Sequence, residues 1–257
     1  MSGELPVIVL AGVLGALLGS FLNVCILRLP ENQSVVRPRS RCPKCQTLIA
    51  WYDNVPVVSW LLLLGKSRCC RERISIQYPL IEALTAAMWA VAFWHYGLGW
   101  MALQGAVFGT LLLGIGMTDA RTYLIPDEFS IGGLVIGLAL SFAHGLDGFL
   151  TAVLGAAVGF FLLLLVAWVG EKAFRKEAMG GGDIKMMAMV GAFVGWKGVL
   201  LTIFGGALLG TLVFVPLTIG KKRLVPFGVF LAAAAAVAFV AGDQIIDWYL
   251  RLAWGPR

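Results

Sequence analysis

Charged residues are scarce in this sequence. Only 13% of its 257 residues are Asp, Glu, Lys or Arg, whereas 60% are hydrophobic. A soluble domain is typically about a quarter charged and about half apolar, so this composition excludes an ordinary soluble domain. Uncharged runs long enough to cross a membrane instead follow one another along the chain. Four firm runs lie at 5–27, 83–100, 101–118 and 149–170, and shorter or interrupted runs lie at 129–143, 186–220 and 224–242.

The number of membrane spans depends on the longest run. Residues 186–220 are too many for one crossing, and Gly195-Trp196-Lys197-Gly198 provides a turn with an interfacial Trp. A break there gives about eight spans, and an unbroken run gives one fewer. The first run is predicted to be a permanent span, because its N-terminal flank is not basic and no small-residue cleavage site follows it. The sequence therefore predicts an all-α polytopic membrane protein with about eight transmembrane helices.

Lys and Arg are confined almost entirely to four alternate connections between the predicted spans. All but three of the 20 basic residues lie there, and the exceptions are Lys197, Arg251 and Arg257. Because cytoplasmic loops retain positive charge, these connections are predicted to face the cytoplasm from a bacterial inner membrane, with both termini outside. The net charge of +6 is spread over loops, which argues for membrane lipid and against a nucleic-acid partner. The connections are 28–73, 119–128, 171–185 and 221–223.

The only extended polar stretch is residues 30–77, which we call the cysteine loop. Cys42 and Cys45 form a CxxC pair there, and Cys69 and Cys70 are adjacent. Four thiolates can hold one tetrahedral zinc ion with bonds of about 2.3 Å, and a reducing cytoplasm favours metal over disulfides. Adjacent cysteines turn toward one metal less readily than a second CxxC pair would, so reduced thiols in a small loop domain are the alternative. We interpret the segment as a cytoplasmic, zinc-like domain.

Inside the cysteine loop, the segment from Trp51 to Trp60 is too apolar to be fully hydrated. Two Trp and a Tyr around apolar residues suit a segment lying at the level of the lipid headgroups. The same residues suit the small core of the loop equally well. The sequence leaves both interpretations open.

Two aspartates lie at predicted span ends. Asp119 follows the third span, and Asp183 opens the sixth after three glycines. The charge pattern places both on the cytoplasmic side, and carboxylates at membrane depth usually mark function because they are costly there. Two carboxylates within about 3 Å share one proton, so one can act as base on a water while the other hydrogen-bonds a scissile carbonyl. The alternative roles are a helix N-cap for Asp183 and an end-of-helix charge for Asp119.

Residues near the two aspartates suggest further roles. The glycines remove side chains where an extended substrate must approach and permit positive φ at a helix start, so Gly180 and Gly182 are candidate substrate-positioning residues. Lys185 is a third candidate, which could position a substrate carbonyl, pair with the second aspartate or face phosphates. Asp127 is more simply a helix N-cap than a catalyst. Glu82 is either a partner of a helix dipole or a member of the site.

Motifs spread over nearly the whole chain match one family. They are Gly19 to Val24 with Arg28-Leu29-Pro30, Arg41 to Cys45, Trp51 to Pro56, Ile74-Ser75 with Tyr78 to Glu82, Asp119 before Ile125-Pro126-Asp127, Gly180 to Lys185, and Val225-Pro226-Phe227-Gly228. On these motifs the chain resembles the bacterial type IV prepilin peptidases, which are leader peptidases and N-methyltransferases of the GxGD aspartyl protease group.

The resemblance implies that Asp119 and Asp183 are the catalytic pair. It implies as substrate the N-terminus of a type IV prepilin or type II secretion pseudopilin, whose basic leader lies in the cytoplasm and whose apolar helix lies in the bilayer. It also implies that the new N-terminus is methylated with S-adenosylmethionine, in a step associated with the cysteine loop. The expected domains are a first transmembrane helix at 1–29, the cysteine loop at 30–77 and a transmembrane aspartyl peptidase core at 78–257.

One position departs from the family pattern. A second CxxC pair is common there, and counting back from Ile74 places Cys70 at its last cysteine and Ser67 at its first. Three outcomes follow: Cys69 takes over as fourth ligand, the site has three thiolates, or the metal is lost. A peptidase without methylation is therefore the alternative function. An ion-coupled transporter that uses the two aspartates is a remote one, because no internal repeat is evident.

Overall fold

The computed structural model describes residues 5–42, 44–176, 179–218 and 225–255. Within these ranges all regular secondary structure is helical, with two isolated β-bridges and no strand, which confirms the predicted all-α class. The helices are α1 Leu5–Arg28, α2 Val58–Leu62, α3 Gln77–Tyr96, α4 Trp100–Thr122, α5 Asp127–Ser141, α6 Gly145–Phe174, α7 Gly181–Thr218 and α8 Phe227–Trp254, and short 3-10 helices lie at Leu29–Glu31, Trp51–Asn54 and Phe142–His144.

Several of these helices are built to cross a membrane. Five helical segments of the described chain are long and apolar enough to do so. In addition, α7 is divided at Gly195, whose φ of 67° and ψ of 178° are not helical. The predicted turn is therefore present, and the predicted polytopic class is confirmed, whereas the count of eight spans stays a prediction. The five segments are Leu5–Glu31, Trp100–Thr122, Asp127–Phe174, Gly181–Val213 and Phe227–Ala253.

The first of two compact units spans Met1–Thr110, and α1 and α3 touch within it. A Cβ at Gly15 would lie 2.7 Å from the carbonyl oxygen of Thr85, and one at Gly19 would lie 2.8 Å from the Cα of Glu82. Small residues let helix backbones approach in this way inside membranes, where van der Waals packing replaces the hydrophobic effect between helices. The two helices therefore form a close pair.

The second compact unit spans Leu111–Arg257, and α6 and α7 pack most extensively within it. Gly155 of α6 and Gly191 of α7 face each other so closely that a Cβ on either would overlap the backbone of the other. On α7, Met186 and Met187 are completely buried directly after the first turn. The first turn of α7 therefore leads directly into the tightly packed part of the same helix.

The apolar segment of the cysteine loop divides between two environments. The ring of Trp60 packs on Gly65, and its Nε1 donates to the carbonyl of Ile74 at 3.2 Å. Trp60 therefore belongs to the core of the loop. Trp51, in contrast, is 77% exposed. The loop-core interpretation is confirmed for Trp60, whereas contact of the other end with lipid headgroups stays a prediction.

Candidate active site and cysteine site

Asp119 lies in the last turn of α4 and is almost fully buried, with 6% of its surface exposed. Its Oδ2 accepts a hydrogen bond of 3.2 Å from the backbone N–H of Val229, near the start of α8. Gly228 leaves room for this contact, since a Cβ there would lie 2.9 Å from the same oxygen. The end of α4 and the start of α8 therefore meet at this carboxylate and hold one of its oxygens.

Asp183 is the third residue of α7 and is half-buried, so it is not the N-cap of that helix. Its backbone N–H donates to the carbonyl of Gly180 at 3.2 Å. Gly182 packs against Ile125, because a Cβ on the glycine would lie 3.0 Å from the Cβ of Ile125. None of the three glycines before Asp183 has positive φ. The expectation of positive φ is wrong, and what these glycines provide is space.

Ile125 connects the surroundings of the two aspartates. Its side chain contacts Gly182, and its Cδ1 would lie 2.9 Å from a Cβ on Gly228. The carboxylates of Asp119 and Asp183 are close enough to interact electrostatically. The structure thus brings the two predicted aspartates together. We call Asp119, Ile125, Gly182, Asp183 and Gly228 the acid site.

Lys185 binds Asp127 beside the acid site. Its Nζ donates to both carboxylate oxygens, at 2.7 and 2.9 Å, and both side chains are partly exposed. The N-cap of α5 is Pro126, so the N-cap role expected for Asp127 is wrong and its carboxylate serves the ion pair. The pair ties the start of α5 to the start of α7. A substrate-positioning role for Lys185 stays a prediction.

Ile125 is a residue of the acid site to which the sequence assigned no role. The same is true of Gly228, and of Val229, whose N–H binds Asp119. Gly228 and Val229 follow Pro226, which is the N-cap of α8. A proline before a helix start and a glycine inside the first turn mark a place where the backbone is free to approach another group. That pattern was the available signal, but which side chain the backbone approaches depends on how α4 and α8 pack.

The described residues of 41–48 form a compact turn at the first cysteine pair. The Cys42 N–H donates to the carbonyl of Thr47, and the Gln46 N–H donates to the carbonyl of Cys42. Gln46 has positive φ, and a β-bridge joins the end residues. The turn therefore holds Cys42 and Cys45 close together.

Residues 66–73 repeat this turn. The Ser67 N–H donates to the carbonyl of Glu72, and the Arg71 N–H donates to the carbonyl of Ser67. Arg71 has positive φ, and a β-bridge again joins the end residues. Ser67 therefore lies in the place that Cys42 has in the first turn, and Cys70 lies in the place of Cys45.

All four sulfur atoms of the cysteine loop lie within 4.8 Å of one another. The Sγ atoms of Cys42 and Cys70 are 3.6 Å apart, and those of Cys45 and Cys69 are 3.1 Å apart. A tetrahedral zinc ion with Zn–S bonds of about 2.3 Å places its sulfurs about 3.8 Å apart. Small movements of the side chains would accommodate the ion, so the donor set fits zinc.

The thiols of the cysteine loop differ in how firmly they hold protons. Hydrogen bonds, first with the Thr47 side chain and then with the Cys69 thiol, lower the pKa of Cys45 to about 6. The pKa of Cys69 is raised to about 12, chiefly because its thiol is hydrogen-bonded to Cys45. Backbone N–H groups of the first turn lower the pKa of Cys42. Metal ions bind thiolates, and the thiols of the first turn have lowered pKa values. The first turn is therefore the half of the site that is better suited to bind a metal ion.

Two protein-family models match the chain. The model described as Bacterial Peptidase A24 N-terminal domain covers residues 13–96, and the model described as Type IV leader peptidase family covers residues 106–215. A curated relative from Neisseria gonorrhoeae, named "Prepilin leader peptidase/N-methyltransferase", is 34% identical over 94% of both chains. The chain belongs to the type IV leader peptidase family. The resemblance drawn from the motifs is confirmed.

Two further relatives in this family carry the same name. The protein of Xanthomonas campestris is 36% identical over 95% of this chain and 94% of its own length. The protein of Myxococcus xanthus is 39% identical over 83% of this chain, and the match spans 64% of that relative's length. No solved structure matches the chain.

The two matched ranges divide the candidate sites of this family member. The first range contains the cysteine loop, and the second contains both aspartates with Gly180, Gly182 and Lys185. Gly228 lies outside both ranges. These matches therefore identify the family, whereas the roles of individual residues stay predictions.

Proposed function

We propose that this chain is an aspartic endopeptidase of the bacterial inner membrane that removes the basic leader from type IV prepilins or type II secretion pseudopilins and then methylates the new N-terminus. The observation that carries the proposal is the placement of Asp119 and Asp183 around Ile125, at the ends of two apolar helices in a member of this family. Relatives that match nearly the whole chain carry both activities in their names, which supports the same pair of activities here.

In the proposed mechanism, Asp119 and Asp183 share one proton. The ionised carboxylate takes a proton from a bound water, whose oxygen attacks the scissile carbonyl carbon while the neutral acid hydrogen-bonds the carbonyl oxygen. Collapse of the tetrahedral intermediate breaks the C–N bond, and a proton passes to the leaving amine. The Val229 N–H holds Oδ2 of Asp119, which leaves its other oxygen for the water or the shared proton.

The glycines before Asp183 are proposed to receive the substrate backbone. Gly180 is exposed, and a Cβ there would lie 3.7 Å from Oδ2 of Asp183, so bare backbone borders the carboxylate. An extended segment can approach such a surface without meeting a side chain. Lys185 is proposed to act with Gly180 and Gly182 in positioning the substrate, from the same end of α7 as the glycines.

The acid site is proposed to face the cytoplasm. Asp119 is in the last turn of α4 and Asp183 in the first turn of α7, so both acids lie at helix ends. The connections at those ends are among the four that hold nearly all Lys and Arg of the chain, which favours the cytoplasmic side. A basic leader in the cytoplasm and an apolar helix in lipid place the scissile bond at that level. Nucleic acid has no part in the proposal.

The methyl donor is proposed to be S-adenosylmethionine, with the cysteine loop at 30–77 as the methyltransferase-associated domain between a first helix at 1–29 and a peptidase core at 78–257. Cys42, Cys45, Cys69 and Cys70 would hold a zinc ion. Zinc in such a four-thiolate site is structural, and it would lock the two turns of the loop together.

The experiment that tests the peptidase is cleavage of a synthetic prepilin by the full chain in detergent, followed by mass spectrometry. Asp119→Asn and Asp183→Asn should each reduce cleavage by about a thousandfold or more, because each removes one member of a unit that works jointly. Asp147→Asn is the matched control, since Asp147 is an exposed acid in the first turn of α6. Near wild-type cleavage by either active-site variant would refute the mechanism.

The same assay separates the bifunctional enzyme from a peptidase alone. With S-adenosylmethionine present, the mature product should gain the mass of one methyl group. A wild-type chain that cleaves and never adds this mass would reduce the function to peptidase activity, and metal analysis of the same sample measures zinc.

A further inference from the structure

A buried carboxylate other than Asp119 lies in the first compact unit. Glu82 is the sixth residue of α3 and has 7% of its surface exposed. Its Oε2 accepts a hydrogen bond of 2.7 Å from the N–H of Val57, and the side chain of Ser20 hydrogen-bonds the same carboxyl. No ion pair found among the described residues involves Glu82. A buried carboxyl is either neutral or matched by a positive charge, and the described residues supply no such charge to Glu82.

Asn23 is a second buried acceptor on the facing helix. It is 1% exposed, and its Nδ2 donates to the carbonyls of Gly19 and Tyr78 at 3.3 and 3.1 Å. Two acceptors around Nδ2 fix the orientation of the amide, so Oδ1 faces the other way. Within the described part of the chain, Oδ1 has no hydrogen-bond donor. Such atoms are rare and costly in native proteins, so Oδ1 is available to a donor from outside the chain.

The two acceptors lie on adjacent turns of one helix pair. Gly19 and Asn23 are one turn apart on α1, and Tyr78 and Glu82 are one turn apart on α3. Asn23 bonds Tyr78, and Gly19 contacts the Cα of Glu82. Glu82 and Asn23 are therefore two buried polar residues at one contact of α1 and α3.

The cysteine loop reaches Glu82 through an uncommon turn. The Val58 N–H donates to the carbonyl of Pro56 around Val57, which has φ 58° and ψ −50°. A β-branched residue rarely adopts this conformation. The turn aims the Val57 N–H at Glu82, and Ser59 secures the segment by donating to the carbonyl of Tyr52 at 3.0 Å. One oxygen of Glu82 is thus held in place by the loop that carries the cysteines.

We propose that Glu82 and the Oδ1 of Asn23 bind an ammonium group. An ammonium supplies three donors and a positive charge and has no acceptor, so it satisfies both the carboxylate and the amide oxygen. The inference rests on the proposed function, because methylation of a new N-terminus requires the α-ammonium of the cleaved chain to bind. S-adenosylmethionine carries an α-ammonium of the same chemistry, so the test has one arm for each source.

Glu82→Gln tests this site without removing the contact to the loop. The amide oxygen of Gln can still accept the Val57 N–H, whereas the negative charge is lost. Thr85→Val is the matched control, because Thr85 is fully buried one turn further along α3 and donates to the carbonyl of Ile81 in its own helix. Each chain, full-length in lipid nanodiscs, is titrated with two pairs of probes. The first pair is a mature pilin N-terminal peptide and its desamino analogue, and the second is S-adenosylmethionine and its desamino analogue.

Wild type and Thr85→Val should bind the amine form of one probe pair about tenfold or more tightly than its desamino form, as expected for a charge-assisted hydrogen bond. Glu82→Gln should reduce that preference below about twofold. The probe pair for which Glu82→Gln loses the preference for the amine form shows whether the ammonium belongs to the cleaved chain or to the methyl donor. If Glu82 only anchors the loop, Glu82→Gln will discriminate as well as wild type does in both pairs, which overturns the inference.

The wild-type titrations alone can also overturn the ammonium site. Equal binding of amine and desamino forms in both pairs would do so, whether or not the Gln variant folds. Because binding is measured without turnover, failure of the proposed function can be distinguished from failure of the ammonium site. A wild-type chain that prefers the amine but neither cleaves nor methylates would contradict the enzyme and leave the ammonium site standing.

Discussion

The acid site and the cysteine loop both bring together side chains that are distant in sequence, but by different means. The acid site uses the ends of long helices, and the helix that carries Asp183 continues directly into the fully buried Met186 and Met187. The cysteine loop uses two short turns, and of its four thiols only Cys42 is buried. Packed helices place the carboxylates before any ligand binds, whereas exposed turns have little apolar burial to hold them.

This difference teaches where each site obtains its stability. Asp119 and Gly228 are positioned by elements whose burial is independent of the carboxylates. The two turns of the loop are each closed by backbone hydrogen bonds, yet what joins one to the other is the sulfur cluster and one exposed ion pair, Lys44–Glu72. We therefore expect metal loss to disorganise the loop and leave the acid site intact.

Among changes that test this difference between the two sites, the largest expected effect is that of Cys45→Ser on the loop. Zinc affinity should fall by more than about a hundredfold, since even changes outside the ligand set cost up to that much. Protease sensitivity within 30–77 should rise, while prepilin cleavage stays within about twofold because the acid site is held by helix packing. Metal analysis and limited proteolysis measure the first two. Cys25→Ala, which removes a buried cysteine of α1 outside the cluster, should retain zinc.

A comparable loss of cleavage with Cys45→Ser would break the comparison. It would mean that the acid site depends on the metal as much as the loop does. Retained zinc would instead show that Cys45 is not a ligand.

The next effect concerns the space at Gly228. Gly228→Ala places a Cβ 2.9 Å from Oδ2 of Asp119 and should displace that carboxylate. Cleavage should fall about tenfold to a hundredfold, because shifts below 1 Å in a catalytic group carry penalties of this size. Gly132→Ala is the matched control, since a Cβ there meets nothing within 4 Å. Unchanged kcat with Gly228→Ala would show that Asp119 tolerates the movement, contrary to a preformed site.

A smaller effect is expected from moving a thiol within the second turn. Cys69→Ser should lower zinc affinity about tenfold or more, less than Cys45→Ser does, because the raised pKa of Cys69 makes it the weaker thiolate ligand. Adding Ser67→Cys to that variant creates a second CxxC pair in the turn that already matches the first, and should restore the affinity. Competition with a chromophoric chelator measures both. If the double variant binds no better than Cys69→Ser, the matching backbone of the turns does not determine ligation.

The smallest effect belongs to the Lys185–Asp127 ion pair. Both side chains are partly exposed, so their coupling should contribute about 0.2–1 kcal/mol to the free energy of unfolding. A double-mutant cycle with Lys185→Met and Asp127→Asn, followed by thermal melting, measures it. High salt should reduce the coupling. A coupling well above this range would show that the acid site depends on this pair and not on helix packing alone.

Much of the acid site was predictable because it depends on residue chemistry that is visible in the sequence alone. Asp119 and Asp183 stand out as acids in apolar surroundings, and the loop charges assign both to one side. The unpredicted part is the contact of Asp119 with Val229, which requires knowing that α4 and α8 meet. The expected N-cap at Asp127 failed for a similar reason, since Lys185 comes from another helix to bind it.

The cysteine loop was less predictable from its pattern. Adjacent Cys69 and Cys70 suggested a poor ligand pair, yet both Sγ atoms reach the other two thiols. A sequence shows the spacing of cysteines but not the direction of their Cβ atoms, and here the positive φ of Arg71 shapes the second turn. The placement of the buried polar residues Glu82 and Asn23 at one helix contact was likewise invisible, because that contact forms across two helices.

The sequence by itself determined the helical membrane class and the family, and it predicted the reactive side chains. Hydropathy, loop charge and residue chemistry are properties of the chain that need no partner in space. Only the tertiary structure decided which acid accepts which N–H, which cysteines meet and which acceptors remain unsatisfied. Those outcomes depend on how closely helices approach, and that distance is determined by the mutual fit of residues far apart in the chain.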